Sequence, residues 1–181
     1  MIPKCESSHS LQVVSEAIPG VALLPIIESA EGFLQLNEIA LAPHVSRLIV
    51  GHIDFLADTG LNCLDDQREL DTLRFQIAMY TRKANLAPAV DGVTVSVDDE
   101  RLIRLDTERS IRFGFGAKLC IHPKQVPIVH ATFSPTATQI SWAERVLEAM
   151  EKSKGAAVQL DGKMVDTPVF LQAKRVLSRV R

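Results

Sequence analysis

The chain is 181 residues long, enough for one domain with a sizeable core. Its 20 Lys and Arg against 22 Asp and Glu leave it near neutral at −2, with no basic stripe that would mark a nucleic-acid surface. Cys5, Cys63 and Cys120 share no close spacing, which speaks against a zinc motif or disulfide framework and fits a reducing, cytoplasmic setting; no apolar run is long enough to span a bilayer.

Residues 2–5 (IPKC) read as a short strand that ends at Glu6. Ser7 and Ser8 are good caps for a helix through Leu11, Val14 and Ala17, which Pro19-Gly20 breaks. A domain that opens in a buried strand, with no lead-in, predicts that part of it lies upstream of Met1. Residues 21–27 form a second strand, and 30–42 a helix with Phe33, Leu36, Ile39 and Ala40 near a 3.6-residue period. A third strand covers 45–50, and HIDFLADTGLNCLDD after it reads as a long loop of the kind that often carries function. Residues 67–86 form a helix with Leu70, Leu73, Ile77, Tyr80 and Ala84 on one face. A brief strand at 87–90 ends at Asp91-Gly92, Asp98 and Asp99 open a helix through Leu102, Leu105, Arg109 and Arg112, and 117–121 is the fifth strand. A helix at 136–154 carries Ile140, Ala143, Leu147 and Met150 as its stripe until Gly155 stops it. Asp161-Gly162 between two short apolar runs signals a hairpin, and a last helix runs over 168–179.

Five βα units followed by a hairpin–helix tail predict an α/β fold, a parallel sheet covered by helices. An open flavodoxin-like sheet and an incomplete (β/α)₈ barrel of the TIM type both satisfy that pattern; the strand-like first residues favour the barrel. The division expected is a partial barrel over 1–155 and a hairpin–helix segment over 156–181.

Two acids stand out. Glu28 closes the second strand and Asp54 follows the third after Gly51-His52-Ile53, which brings both to the carboxyl edge of one parallel sheet, where α/β proteins place their sites. Two converging carboxylates repel unless a cation or a proton sits between them, and a hard divalent ion such as Mg²⁺ suits them. The plainer alternative is that each acid caps the helix after its strand. His52, two residues before Asp54, invites a transition-metal reading that an oxygen-rich site does not need. Lys4 and Glu6 flank the mouth of the first strand; a surface ion pair is the simple expectation for them.

The phrases MIPKCES, LLPIIESAEGF, RLIVGHIDFLADTG, GFGAKLCIHPKQV and DGKMVDTP, in this order and spacing, resemble the HpcH/HpaI aldolase / citrate lyase beta-subunit family, in its acyl-CoA lyase branch, from Met1 to about residue 173. The resemblance implies a (β/α)₈ barrel of which this chain matches strands four to eight and the tail, with Glu28 and Asp54 as the Mg²⁺ ligands. It implies cleavage of a 3-hydroxyacyl-CoA of the citryl-CoA or malyl-CoA kind into an acyl-CoA and an α-keto acid. An aldolase for free 2-keto-3-hydroxy acids is the other branch of the family, and a catalytically silent subunit is a third reading. The family arginine that holds the departing enolate lies on the third strand, outside the matched stretch. Asp166, in DGKMVDTP, is by resemblance an acid/base group presented to a neighbouring subunit, in an assembly that is commonly a trimer. Asp166-Thr167-Pro168 is equally a good helix start. GFGAKLCIHPKQV matches the family's last strand and following loop, which helps hold the CoA end of the substrate. Lys118 there can reach a phosphate or stay solvated, and His122 reads as a hydrogen-bonded structural histidine. The usual GFDGK is GFGAK here, so Gly116 and Ala117 replace an Asp-Gly pair and the local turn is expected to differ.

Overall fold

Four short strands run parallel in the order of the sequence: β1 (Ile26–Ile27), β2 (Ile49–Val50), β3 (Val90–Asp91) and β4 (Ala117–Lys118). The structure, a computed structural model, describes every residue except Asp65 and Arg181. Register pairs Ile27 with Val50, Ile49 with Val90, and Asp91 with Lys118. The first segment joins on the outer side of β1 through a parallel bridge from Ile2 to Pro25. Sequential order, with no reversal of direction, has no topological switch point, so the flavodoxin-like alternative does not describe this sheet.

The strands are shorter than the apolar runs that encode them, and the prolines explain much of it. Pro3, Pro25 and Pro88 each remove a ladder donor, and Lys4 turns into the left-handed region at φ 45°. Residues 2–5 therefore contribute one bridge, and 21–27 two strand residues plus a bridge from Leu23 to Val45.

Helices fill the connections. Ser7 caps α1 (Ser8–Ala17) by accepting from the Ser10 amide. The helix expected over 30–42 is two: α2 (Ala30–Leu34) and α3 (Leu36–Leu41), joined at Gln35. The stretch read as a long loop after β2 begins instead with α4 (His52–Thr59), closed by Gly60 at φ 70°. A 3₁₀ turn (Arg68–Leu70) leads into α5 (Asp71–Lys83), which buries Leu73 and Ile77 as its period requires. Asp99 caps α6 (Glu100–Arg112), and α7 (Gln125–Phe133) was not foreseen. The core packs Leu11, Ile27, Ile39, Leu48, Leu70 and Ile77 with their neighbours. Among the described residues no helix is long and apolar enough to cross a membrane.

The chain divides into two compact units, Met1–Val129 and His130–Arg181. The second holds α8 (Ala137–Lys152), which starts with a capping box between Thr136 and Gln139, a hairpin of β5 (Val158–Leu160) and β6 (Lys163–Val165), and α9 (Thr167–Leu177). Asp161 and Gly162 both have positive φ, at 52° and 76°, as a tight hairpin turn demands. Ala143, Val146 and Met150 of α8 pack with Val165, Ala173 and Val176. α8 thus packs with the hairpin and α9 in the second unit, which begins within α7.

Candidate active site at the carboxyl edge of the sheet

Glu28 follows the last residue of β1, and its side chain lies over Gly51, the residue opposite it after β2. A methyl group on Gly51 would sit 2.5 Å from Glu28 Cβ and 2.6 Å from Oε2, so the approach exists only because residue 51 has no side chain. The Lys4 amide donates to Glu28 Oε1 at 2.6 Å, and the left-handed turn at Lys4 is what aims it there. Next along the chain Ser29 caps α2, and Gly32 gives close approach to the Cys5 carbonyl, so the ESAEG phrase encodes a strand end, a cap and a packing contact.

Gly51 is also the N-cap of α4, which places Asp54 in that helix's first turn, exposed, beside the edge where Glu28 sits. One turn on, Asp58 accepts from the Ala30 amide at 2.8 Å and ties α4 to the start of α2. Glu28 thus sits at the end of β1, while Asp54 lies in the first turn of the helix that follows β2 rather than on the strand end itself. His52 and Asp54 do not share a face, as a strand would have given: His52 is buried at 3 % exposure while Asp54 is open. The imidazole packs against Gly92, with Nδ1 buried and unpartnered among the described residues. Burial, with Arg74 nearby, pushes its pKa down to about 4, so the ring is neutral near pH 7.

The same edge carries a second cluster. Asp91, at the end of β3, accepts from Arg74 Nε at 3.2 and 3.3 Å, Ser110 Oγ at 2.6 Å and the Gly92 amide at 2.8 Å. Burial alone would raise the Asp91 carboxyl, but Arg74, Lys118, Ser110 and the Gly92 amide together hold it below the usual range. Gln67 accepts from both Arg74 and Arg109. Lys118, at the end of β4, is not a solvated lysine: its Nζ donates to the Gly92 carbonyl at 2.6 Å, and burial lowers its pKa while Asp91 and Asp106 oppose that shift. The left-handed glycine before β4 is Gly114, at φ 83°, whereas Ala117 lies in the strand opposite Val90; the GFGAK departure therefore leaves no strained alanine. His122 is exposed and accepts from the Lys124 amide, as a structural histidine does, and Glu6 is exposed.

Asp166 belongs to the second unit. It caps α9, accepting from the Val169 amide at 3.3 Å, and is half-buried. Sequence reasoning missed Asp58, Arg74, Ser110 and Gln125 as supporting residues. Arg74 and Ser110 showed only as polar residues on helices read as exposed there, and Asp58 and Gln125 lay in stretches not read as helix.

The donor set fits a hard cation. Glu28 and Asp54 offer carboxylate oxygens, which suit Mg²⁺ better than a softer metal. Among the described residues no group of three or more His, Cys, Asp or Glu comes together as a metal cluster. A metal bound by the two acids would complete its shell with water and substrate oxygens.

Comparison with known proteins follows the same lines. Residues 1–123 match the HpcH/HpaI aldolase/citrate lyase family. The chain is 30% identical over 183 residues to a (3S)-malyl-CoA thioesterase of Cereibacter sphaeroides, covering 99% of this chain and 64% of that protein. It is 31% identical over 186 residues to a citrate lyase subunit beta-like protein of Deinococcus radiodurans, covering 98% and 65%. The chain thus spans 64–65% of the length of these relatives. Among solved structures, CitE from Mycobacterium tuberculosis in complex with magnesium, acetoacetate and coenzyme A superposes with a TM-score of 0.84 at 28% identity, covering 97% of this chain and 66% of that one. By the match of most of its length, the chain belongs to the HpcH/HpaI aldolase/citrate lyase family.

Proposed function

We propose that the chain serves a Mg²⁺-dependent carbon–carbon lyase that splits a 3-hydroxyacyl-CoA, of the citryl-CoA or malyl-CoA type, into an acyl-CoA and an α-keto acid. On this reading its parallel sheet belongs to a (β/α)₈ barrel, and its carboxyl edge is the active face. The observation that supports it most is the seating of Glu28 over Gly51, next to the first turn of α4 that bears Asp54. Two of the similar proteins support it: one is named a (3S)-malyl-CoA thioesterase, and CitE was solved with magnesium and coenzyme A.

Glu28 and Asp54 would hold the ion, which supplies a Lewis acid for the substrate's carboxylate and hydroxyl oxygens. The chain's own groups set the rest. The Lys4 amide fixes one Glu28 oxygen and leaves the other toward Gly51. Cleavage removes the hydroxyl proton, converts that carbon to a carbonyl group and leaves the bonding pair on the thioester's α-carbon as an enolate, which a proton then quenches. Asp166 is the acid/base group proposed for that proton, acting in the site of a neighbouring subunit of a homo-oligomer. Its cap bond to Val169 would hold the carboxylate in one rotamer. Lys118, with its ammonium drawn onto the Gly92 carbonyl, is the cation proposed on the CoA side.

The test is release of keto acid from citryl-CoA and malyl-CoA with Mg²⁺. Glu28→Gln and Asp54→Asn are each expected to lower kcat/KM by about 10²-fold or more, since substrate oxygens misplaced by an ångström cost that much. Turnover that survives both changes would remove these acids from the reaction.

A further inference from the structure

Gln125 opens α7 and is almost wholly buried, at 1 % exposure, although glutamine is rarely found inside. Its amide is spent on backbone of two different loops. Nε2 donates to the Thr94 carbonyl at 2.8 Å and the Ser96 carbonyl at 3.0 Å, both in the loop between β3 and α6. Oε1 accepts from the Ile121 amide at 2.9 Å, in the segment between β4 and α7. A primary amide has two donors and one acceptor group, and here every one has a partner. The loop held in this way begins at Gly92, whose carbonyl holds Lys118, and Thr94 is anchored again by its hydroxyl on Asp106 at 2.7 Å. A further tie, from Lys124 to Asp98 at 2.8 Å, lies in solvent.

We propose that Gln125 is a positioning residue: it locks the β3–α6 loop to the β4–α7 segment and so fixes Lys118 at the carboxyl edge where the CoA thioester binds. The part concerning CoA rests on the function proposed above; the lock itself does not. A leucine in its place would fill the volume but leave two carbonyls and one amide unpaired. A glutamate would still accept from Ile121 but, when ionised, would set a charge against two carbonyl oxygens. Protonated, it regains one donor.

The experiment compares the wild-type chain with Gln125→Leu, Gln125→Glu and Asp98→Asn, well below their unfolding temperatures. Hydrogen exchange is read by mass spectrometry and coenzyme A affinity by calorimetry. Gln125→Leu should speed amide exchange in residues 92–98 and 119–122 by about tenfold, without a like rise elsewhere, and weaken coenzyme A by about tenfold. Gln125→Glu should resemble it at pH 8 and recover towards wild type at pH 5, while the wild-type loop shows no such recovery beyond the intrinsic pH dependence of exchange. Asp98→Asn, which cuts the exposed tie to Lys124, should leave both readings unchanged. Faster exchange spread evenly over the whole unit, with affinity intact, would reduce Gln125 to a structural residue and overturn the proposal. If the wild-type chain binds no coenzyme A, the functional reading fails, and localised exchange together with the glutamate's pH response still decides whether the lock exists.

Discussion

Replacing Arg74 by methionine should destabilise the first unit by about 3–5 kcal/mol at pH 7, the usual cost of stripping one partner from a buried ion pair. Arg74 and Asp91 are 2 % and 1 % exposed, and methionine keeps an unbranched apolar stem in place of the charged one. Asp91 would then keep Ser110, the Gly92 amide and Lys118 as compensation for its burial. The pH dependence follows from the direction of its shift. In the wild type the folded carboxyl is held below its unfolded value of about 3.9, so its stabilisation is present above that value and fades as pH falls through the folded one. Without Arg74 burial prevails and the carboxyl rises, so that residue's contribution is lost as pH increases. Urea unfolding should therefore show a gap between variant and wild type that narrows from pH 8 toward pH 4. A gap below about 1 kcal/mol at pH 7 would mean that the pair is solvated, as surface pairs are.

Gly51→Ala should strike both the fold and the metal site proposed at Glu28. The new methyl would lie 2.5 Å from Glu28 Cβ and 2.8 Å from Ile26 Cγ2, atoms held by the backbone of β1, as well as 2.6 Å from the mobile Oε2. Overpacking of that kind costs about 1–3 kcal/mol, and the relief open to the chain is to push the Glu28 carboxylate out of place. Mg²⁺ affinity should fall at least tenfold, in proportion to what a misplaced ligand costs. Gly60→Ala serves as the comparison. A Cβ there meets nothing within 4 Å, so its positive φ of 70° charges only the backbone, about 1 kcal/mol, with Mg²⁺ affinity kept. Equal metal affinity in both variants would separate Glu28 from the site.

How much of this could be read in advance varies with the physics of each element. Apolar strands ending in Glu28 and Asp91 were legible, as were the caps Ser7 and Asp166 and the Asp161-Gly162 turn, because each rests on local stereochemistry. Strand lengths were not, since apolar runs do not say which residues a proline cuts off from the ladder. α4 was hidden because Gly51 and Gly60 bracket a segment short enough to pass for a loop. On α6 the periodic apolar reading selected Leu102 and Leu105, yet the buried face is Ile103, Asp106, Thr107 and Ser110, and Leu105 is 46% exposed. That face is polar because it serves Asp91 and Thr94, a requirement visible only once strands and helices are assembled. Lys118 looked like a solvent lysine for the same reason. Glu28 needed no such assembly, only a strand end, whereas Asp54, which the spacing put on a strand, lies in the first turn of α4.

The sharing of one ion between those two acids is the claim on which the rest depends, and a double-mutant cycle in Mg²⁺ affinity tests it most directly. Calorimetric titration of the wild type, Glu28→Gln, Asp54→Asn and the double variant should show one site in the wild type. Each single change should weaken it by about tenfold to a hundredfold, and the double variant should lose little beyond the worse single, because neither carboxylate holds the ion alone. Losses that simply add, or Mg²⁺ binding that both single variants keep at wild-type strength, would contradict a shared ion at the carboxyl edge.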